Sequence, residues 1–323
     1  MWQTTFFDEE FSTAVVNVAS VPKLSPFRYP GGKTWFVPYI RRWLDPAIRQ
    51  KHHFSPVTPI RFIEPFLGGG SISLTVASER LVPNIIMAGI DVEVAAVWQT
   101  MLDAENAQWL ANRIATYALT PENVASLLDE PPTLVAERAF QTIVKNRVNR
   151  GGILAPGAGR LKFGEAGKGI LSRWYPNTLA QRIRRIASLR ERLTFLQQDA
   201  FTVLHEYTND ADAVFFIDPP YTAGKNGKRA GQRLYTHSEL DHERLFTTMS
   251  QVRGDFLMAY ENSQEVCDLA RRHRLDTRLI PMKNTHHANM MELLIGRDLS
   301  WIKPSRPESN LTNEHAPLLE SQD

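Results

Sequence analysis

Residues 61–81 read RFIEPFLGGGSISLTVASERL. The run RFIEPF (61–66) is short and mostly apolar, the pattern of a buried strand. Gly68, Gly69 and Gly70 follow it, where the chain can bend tightly and a ligand can come close to the backbone. SISLTVASERL (71–81) then predicts a helix, with Ser71 as its cap. Working outward, NIIMAGID (84–91) is a second strand that ends in Asp91, and 92–103 is helical. LTFLQQD (193–199) and AVFFID (213–218) are strands with a helix between them, followed by a helix over 239–252, the strand DFLMAY (255–260) and a helix over 263–273. TRLIP (277–281) and MMELLIG (290–296) close the sheet as an antiparallel pair. Strands separated by helices predict an α/β fold with a doubly wound sheet.

The 323 residues are 43% hydrophobic and 22% charged, which excludes bulk disorder, collagen and a disulfide scaffold. The single cysteine, Cys267, excludes an internal disulfide and a multi-cysteine zinc site, and fits a reducing cytosol. No stretch reaches the ~18 apolar residues of a membrane helix. The first twenty residues carry Asp8, Glu9 and Glu10 and no base, unlike a secretory signal. Residues 1–22 are expected to form an N-terminal tail and 304–323 a disordered C-terminal one.

A net charge of +2 conceals an asymmetry. Residues 138–192 hold thirteen Lys and Arg against Glu165 and Glu191, a local charge of +11. Such a concentration predicts a polyanion-binding face, with a plain solvated helix face as the alternative. Residues 107–149 are mostly helical with breaks at Pro121, Pro131 and Pro132; 150–172 are Gly-rich and irregular; 177–193 form an amphipathic helix with arginines on one side. The expected organisation is a sheet domain formed by 23–104 and 191–303, interrupted by a mostly helical insert, 105–190.

Three short motifs carry the chemistry. The glycine turn after Glu64 and Phe66, with Asp91 placed to accept from a ribose diol, follows nucleoside-binding logic. Its spacing does not match G-x-G-x-x-G, which disfavours a nicotinamide dehydrogenase, and by itself it is equally well a tight turn. Asp218-Pro219-Pro220-Tyr221 follows the strand AVFFI. Its prolines cannot donate ladder hydrogen bonds and fix the backbone. The Asp218 carboxylate and the Pro219 carbonyl would accept, and the Tyr221 ring would stack on a flat base, a set suited to an amine on an aromatic ring. Pro-Pro is also common loop punctuation. Arg28-Tyr29-Pro30-Gly31-Gly32-Lys33 presents backbone N–H groups beside a lysine, suited to an anion.

Together and in this order, YPGGK, FIEPFLGGGS and DPPY resemble the DNA adenine methylase (Dam) family of DNA methyltransferases. The resemblance spans about residues 23 to 300. It implies a seven-stranded Rossmann-like methyltransferase sheet interrupted by a DNA target-recognition domain, S-adenosyl-L-methionine as cofactor and no metal. Lys33 would neutralise the cofactor's carboxylate, with Tyr29 beside it. Glu64, Phe66 and Gly68 would hold its methionine part, Asp91 its ribose, and Asp199 with Phe201 its adenine edge. Asp218, Pro219, Pro220 and Tyr221 match the catalytic motif, with Asp218 also at the cofactor.

Two departures, YPGGK for WAGGK and Gly68-Gly69-Gly70 for G-A-G, leave the match intact. Asn146-Arg147, Gly151-Gly152 and Pro156-Gly157 loosely resemble the family's DNA-entering hairpin, which makes Arg147, Asn149, Arg150, Arg160 and Lys162 DNA-contact candidates. Lys225, Lys228 and Arg229 in the loop 222–233 join them. The implied partner is double-stranded DNA, for a cytoplasmic monomer without a membrane, with a separately encoded cognate restriction endonuclease as an associated activity. RNA and protein glutamine amide stay open as acceptors, although the latter class has Asn where Asp218 stands. A DNA-binding module without activity is a further alternative, which intact Lys33, Asp91 and Asp218 disfavour.

Overall fold

The computed structural model describes residues 21–29, 31–220, 236–237, 239–283 and 289–302. Tyr221, Lys225, Lys228, Arg229, the rest of the loop 222–233, the tail 304–323 and the first twenty residues lie outside the described residues.

Seven strands form one sheet: β1 (Arg61–Glu64), β2 (Asn84–Ala88), β3 (Leu193–Leu196), β4 (Ala213–Ile217), β5 (Asp255–Glu261), β6 (Asp276–Lys283) and β7 (Asn289–Gly296). Their order is β3-β2-β1-β4-β5-β7-β6. The first five run parallel, and β7 pairs antiparallel with both β5 and β6. This is a doubly wound, mixed α/β sheet. The closing antiparallel pair lies where the apolar runs predict it. Strand order reverses between β1 and β4, and the crevice at such a switch point is where open α/β sheets bind ligands.

The side chains sort by a period of two. Phe62, Val214, Phe216 and Leu257 face one cluster, and Ile63, Phe215, Ile217 and Met258 face the other. Both faces are covered, so AVFFI is a continuous apolar run and every residue of it is buried. One cover comprises α1 (Val37–Leu44), α3 (Ser71–Ser78) and α4 (Val92–Leu102). Between α1 and α3 lies the short α2 (Pro46–Lys51). The opposite cover comprises α9 (Ala200–Tyr207), α10 (His242–Gln251) and α11 (Gln264–Arg272).

The basic segment folds as α5 (Ala104–Thr116), α6 (Pro121–Asp129), α7 (Val135–Val148) and α8 (Pro176–Ala187). Helix α7 packs on α4 and α8 on α5. Phe140, Ile143, Leu179 and Ile183 therefore belong to the same hydrophobic cluster as Trp98 and Phe216. The break expected at Pro121 falls between α5 and α6, and Pro121 opens α6, since its missing N–H costs nothing in a first turn. At α3 the cap is Gly70, in the left-handed region at φ 62°, and the expected cap Ser71 is the first helical residue.

A buried ion pair ties α2 to the sheet. Arg49 is fully buried, donates to the carbonyls of Pro56 (2.7 Å) and Trp43 (3.1 Å), and meets Asp255 at 3.2 Å. Trp43 donates to the same Asp255 oxygen at 3.0 Å. Arg49→Met strands that carboxylate, and breaking a buried pair from one side costs about 3–5 kcal/mol. Urea unfolding near neutral pH is expected to show that loss. The deficit should narrow in acid, because burial already raises the pKa of Asp255. A variant as stable as the parent would refute the pairing.

Candidate active site

The carboxyl ends of β1, β2, β3 and β4 open on one cavity. The structure brings Tyr29, Lys33, Glu64, Phe66, Gly68, Asp91, Asp199, Phe201, Asp218, Pro219 and Pro220 to its walls. These residues come from five separate stretches of sequence.

The glycine turn is shaped first by the protein's own aromatic rings. A Cβ on Gly68 would stand 2.3 Å from Cε1 of Tyr29, and one on Gly70 would stand 2.5 Å from Cζ2 of Trp98. Trp98 Nε1 also donates to the Gly68 carbonyl at 3.2 Å. The YPGGK loop thus lies directly on the turn after β1, with Tyr29 as the shared wall.

Glu64 ends β1 and is 5% exposed. It accepts from the Ser73 amide at 3.1 Å and from the Ser73 hydroxyl. Burial pushes its pKa up to about 7; the Ser73 bonds and Lys33 oppose the rise, and nearby Asp218 adds to it. Asp91 and Asp199 each cap a helix. Asp91 Oδ1 accepts from Glu93 N (2.9 Å) and Val94 N (3.1 Å), and Asp199 Oδ1 accepts from Phe201 N (2.9 Å). Each cap fixes its carboxylate at the cavity rim. The Arg244 guanidinium lies 4.1 Å from the centroid of the Phe201 ring.

Lys33 is held by two carboxylates of its own chain. Its ammonium is buried, 2.9 Å from Asp218 Oδ1 and 2.9 Å from Glu292 Oε1. Burial alone would lower its pKa, but the two carboxylates outweigh burial and the net shift is upward. Its charge is thus balanced inside the protein. Glu292, on β7, was missed in the sequence. The signal was there: a lone acid in the apolar run MMELLIG needs a buried partner. Behind Asp218, His242 Nδ1 lies 3.1 Å from the Tyr260 hydroxyl, whose pKa is raised by burial and by Asp218.

The DNA-contact candidates divide. Arg147 is 4% exposed and donates to the Pro26 carbonyl, and Asn149 is 5% exposed and donates to the Ile153 carbonyl at 2.8 Å. Both are buried and hold the chain's own backbone. Asn146 does the same, accepting from Arg28 N (2.9 Å) and donating to Arg28 O (2.8 Å) and Gly152 O (2.6 Å). Arg150, Arg160 and Lys162 are exposed around the antiparallel bridge between Asn149 and Arg160. Among the described residues there is no cluster of three metal-ligating side chains, and no helix is long and apolar enough to cross a membrane.

No protein-family model and no curated protein matches the chain. Among solved structures 30 chains match. One, the methyltransferase domain of bacterial CtHen1-CN, aligns over 81% of this chain and 99% of its own at 8% identity and a TM-score of 0.32. A likeness of that size does not decide the reaction.

The Glu64 carboxyl gives the site a pH signature. With its pKa raised from 4.5 to about 7, the folded state holds this proton more tightly than the unfolded chain does. The associated stability is complete below about pH 4.5 and is lost as the pH rises through 7, at most roughly 3 kcal/mol. Glu64→Gln cannot ionise, so it should melt above the parent near pH 8 and close to it near pH 4.5. Calorimetric melting curves that stay parallel across this range would refute the shift.

Proposed function

We propose that the chain is an S-adenosyl-L-methionine-dependent DNA methyltransferase that acts on the exocyclic N6 amine of an adenine flipped out of double-stranded DNA. The observation that carries this reading is the convergence of YPGGK, EPFLGGG, Asp91, QQDAF and DPP on one cavity at the switch point of the sheet.

The donor set fits the cofactor. Glu64, Asp91 and Asp199 offer acceptors for an ammonium, a ribose diol and an adenine amine, and Phe66 and Phe201 offer flat apolar surface. Around Lys33 two carboxylates face one ammonium, with Glu64 close by, so the cavity favours a cationic guest. When bound, the cofactor supplies a methyl group already activated on a sulfonium. The protein's task is the acceptor amine, whose lone pair is delocalised into the ring. Asp218 and the Pro219 carbonyl each accept one N–H, which favours a pyramidal nitrogen and stabilises the positive charge it develops. Lys33 holds Asp218 Oδ1 in place for this, through an ion pair fixed from behind by Glu292.

A base within a duplex cannot reach such a cavity, and extruding it costs a few kcal/mol. Stacking on an aromatic ring recovers roughly 1–3 kcal/mol, a role the resemblance gives to Tyr221. Arg150, Arg160 and Lys162 supply exposed charge for phosphates, an attraction that weakens with salt.

The test uses purified protein, unmethylated plasmid and radiolabelled S-adenosyl-L-methionine. Label is expected on adenine within one short sequence, and Asp218→Ala should lower the rate by ~10²–10³ or more, the scale for losing one preorganised acceptor. Cofactor binding with no label on DNA would overturn the DNA reading and move the acceptor to RNA or a protein amide.

A further inference from the structure

A second cavity lies across Tyr29 from the first, and the two share Tyr29, Gly32, Gly69 and Ser71 as walls. Five cations line it: Lys23, Arg28, Arg147, Arg173 and Arg182. They come from the N-terminal segment, α7, the short 3₁₀ turn Gly169–Arg173 and α8. Among the described residues no Asp or Glu lines it. We propose that this cavity is a phosphate-binding site, which takes a phosphodiester of the DNA strand or a free inorganic phosphate.

Arginines are rarely buried unless paired with an anion. Among the described residues, Arg147 and Arg182 are anchored by neutral groups. Arg147 Nη2 donates to Pro26 O, and Arg182 Nη1 donates to Ser25 O at 3.0 Å. These bonds aim the guanidiniums without balancing their charge. Arg147 Nε is buried with no hydrogen-bond partner. The crowding is energetically visible: burial first, then Arg182, Arg28 and Arg173, lowers the Arg147 pKa to about 9. An anion entering the cavity would relieve the repulsion. Guanidinium forks match phosphate oxygens, and several arginines around one cavity suit the tetrahedral oxygens of a phosphate group. The site stands on its own geometry; only its assignment to a DNA phosphodiester rests on the proposed function.

The experiment measures two ligands on the full chain: inorganic phosphate by calorimetric titration, and an unmethylated duplex by fluorescence anisotropy across a salt series. Arg173→Gln is compared with Arg173→Lys, and Lys23→Gln serves as a second variant because Lys23 is exposed. Thermal melting verifies the fold of each. Arg173→Gln is expected to weaken binding about tenfold, the scale of one charged hydrogen bond, with Arg173→Lys closer to the parent. One-to-one phosphate binding lost in Arg173→Gln identifies a free-phosphate site. A loss confined to the duplex, with a salt slope shallower by about one ion, identifies a DNA phosphodiester. Phosphate binding without duplex binding supports the site and removes the DNA reading. If folded Arg173→Gln and Lys23→Gln leave both ligands unaffected, the proposal is overturned.

Discussion

The Lys33 ammonium stands 2.9 Å from Asp218 and 2.9 Å from Glu292, and three distant pieces of chain meet at that point. One is the loop before α1, another leaves the end of β4, and the third is β7. Removing an ammonium from water costs several kcal/mol, and the buried Glu292 carboxylate adds its own cost. Attraction at this separation is also worth several kcal/mol per pair at an effective dielectric of about 20. One pair would leave little margin, and two explain why so enclosed a cation stays charged. The insertion of β7 between β5 and β6 is what carries Glu292 beside β5, one strand in from the sheet edge.

Around this charge cluster the walls are set by packing. Tyr29 and Trp98 occupy the space that Cβ atoms on Gly68 and Gly70 would need. The turn is therefore glycine-rich whether or not a ligand touches it. Asp91 and Asp199 likewise serve their helices as caps while facing the cavity. Groups that build the fold and groups that could bind a guest are largely the same atoms, so the cavity has a defined shape before any guest arrives.

Much of this was legible in the sequence. Buried parallel strands are continuous apolar runs, so β1, β2, β4 and β5 announce themselves, and the motifs at their ends share a place because parallel strands share a direction. Pairings between distant residues were not legible. Lys33 had the chemistry of an anion ligand, and only the fold reveals that Glu292 and Asp218 take its charge. Arg147 and Asn149 sit in a basic stretch, but helical phase and the approach of residues 25–28 turn them inward. Charge counted along a sequence does not distinguish an arginine that faces solvent from one that holds a carbonyl.

The clasp of Asn146 on the backbone of Arg28 has a mechanical consequence. Its amide bonds both the N–H and the C=O of one residue, as a neighbouring strand would, and it also holds Gly152. Gly152 packs so tightly there that a Cβ would fall 2.0 Å from the Arg28 carbonyl oxygen. Helix α7 and the segment leading into Tyr29 are thereby coupled like two arms of a lever. The basic helices and the cavity wall at Tyr29 are thus joined through Arg28, by a route that bypasses the sheet.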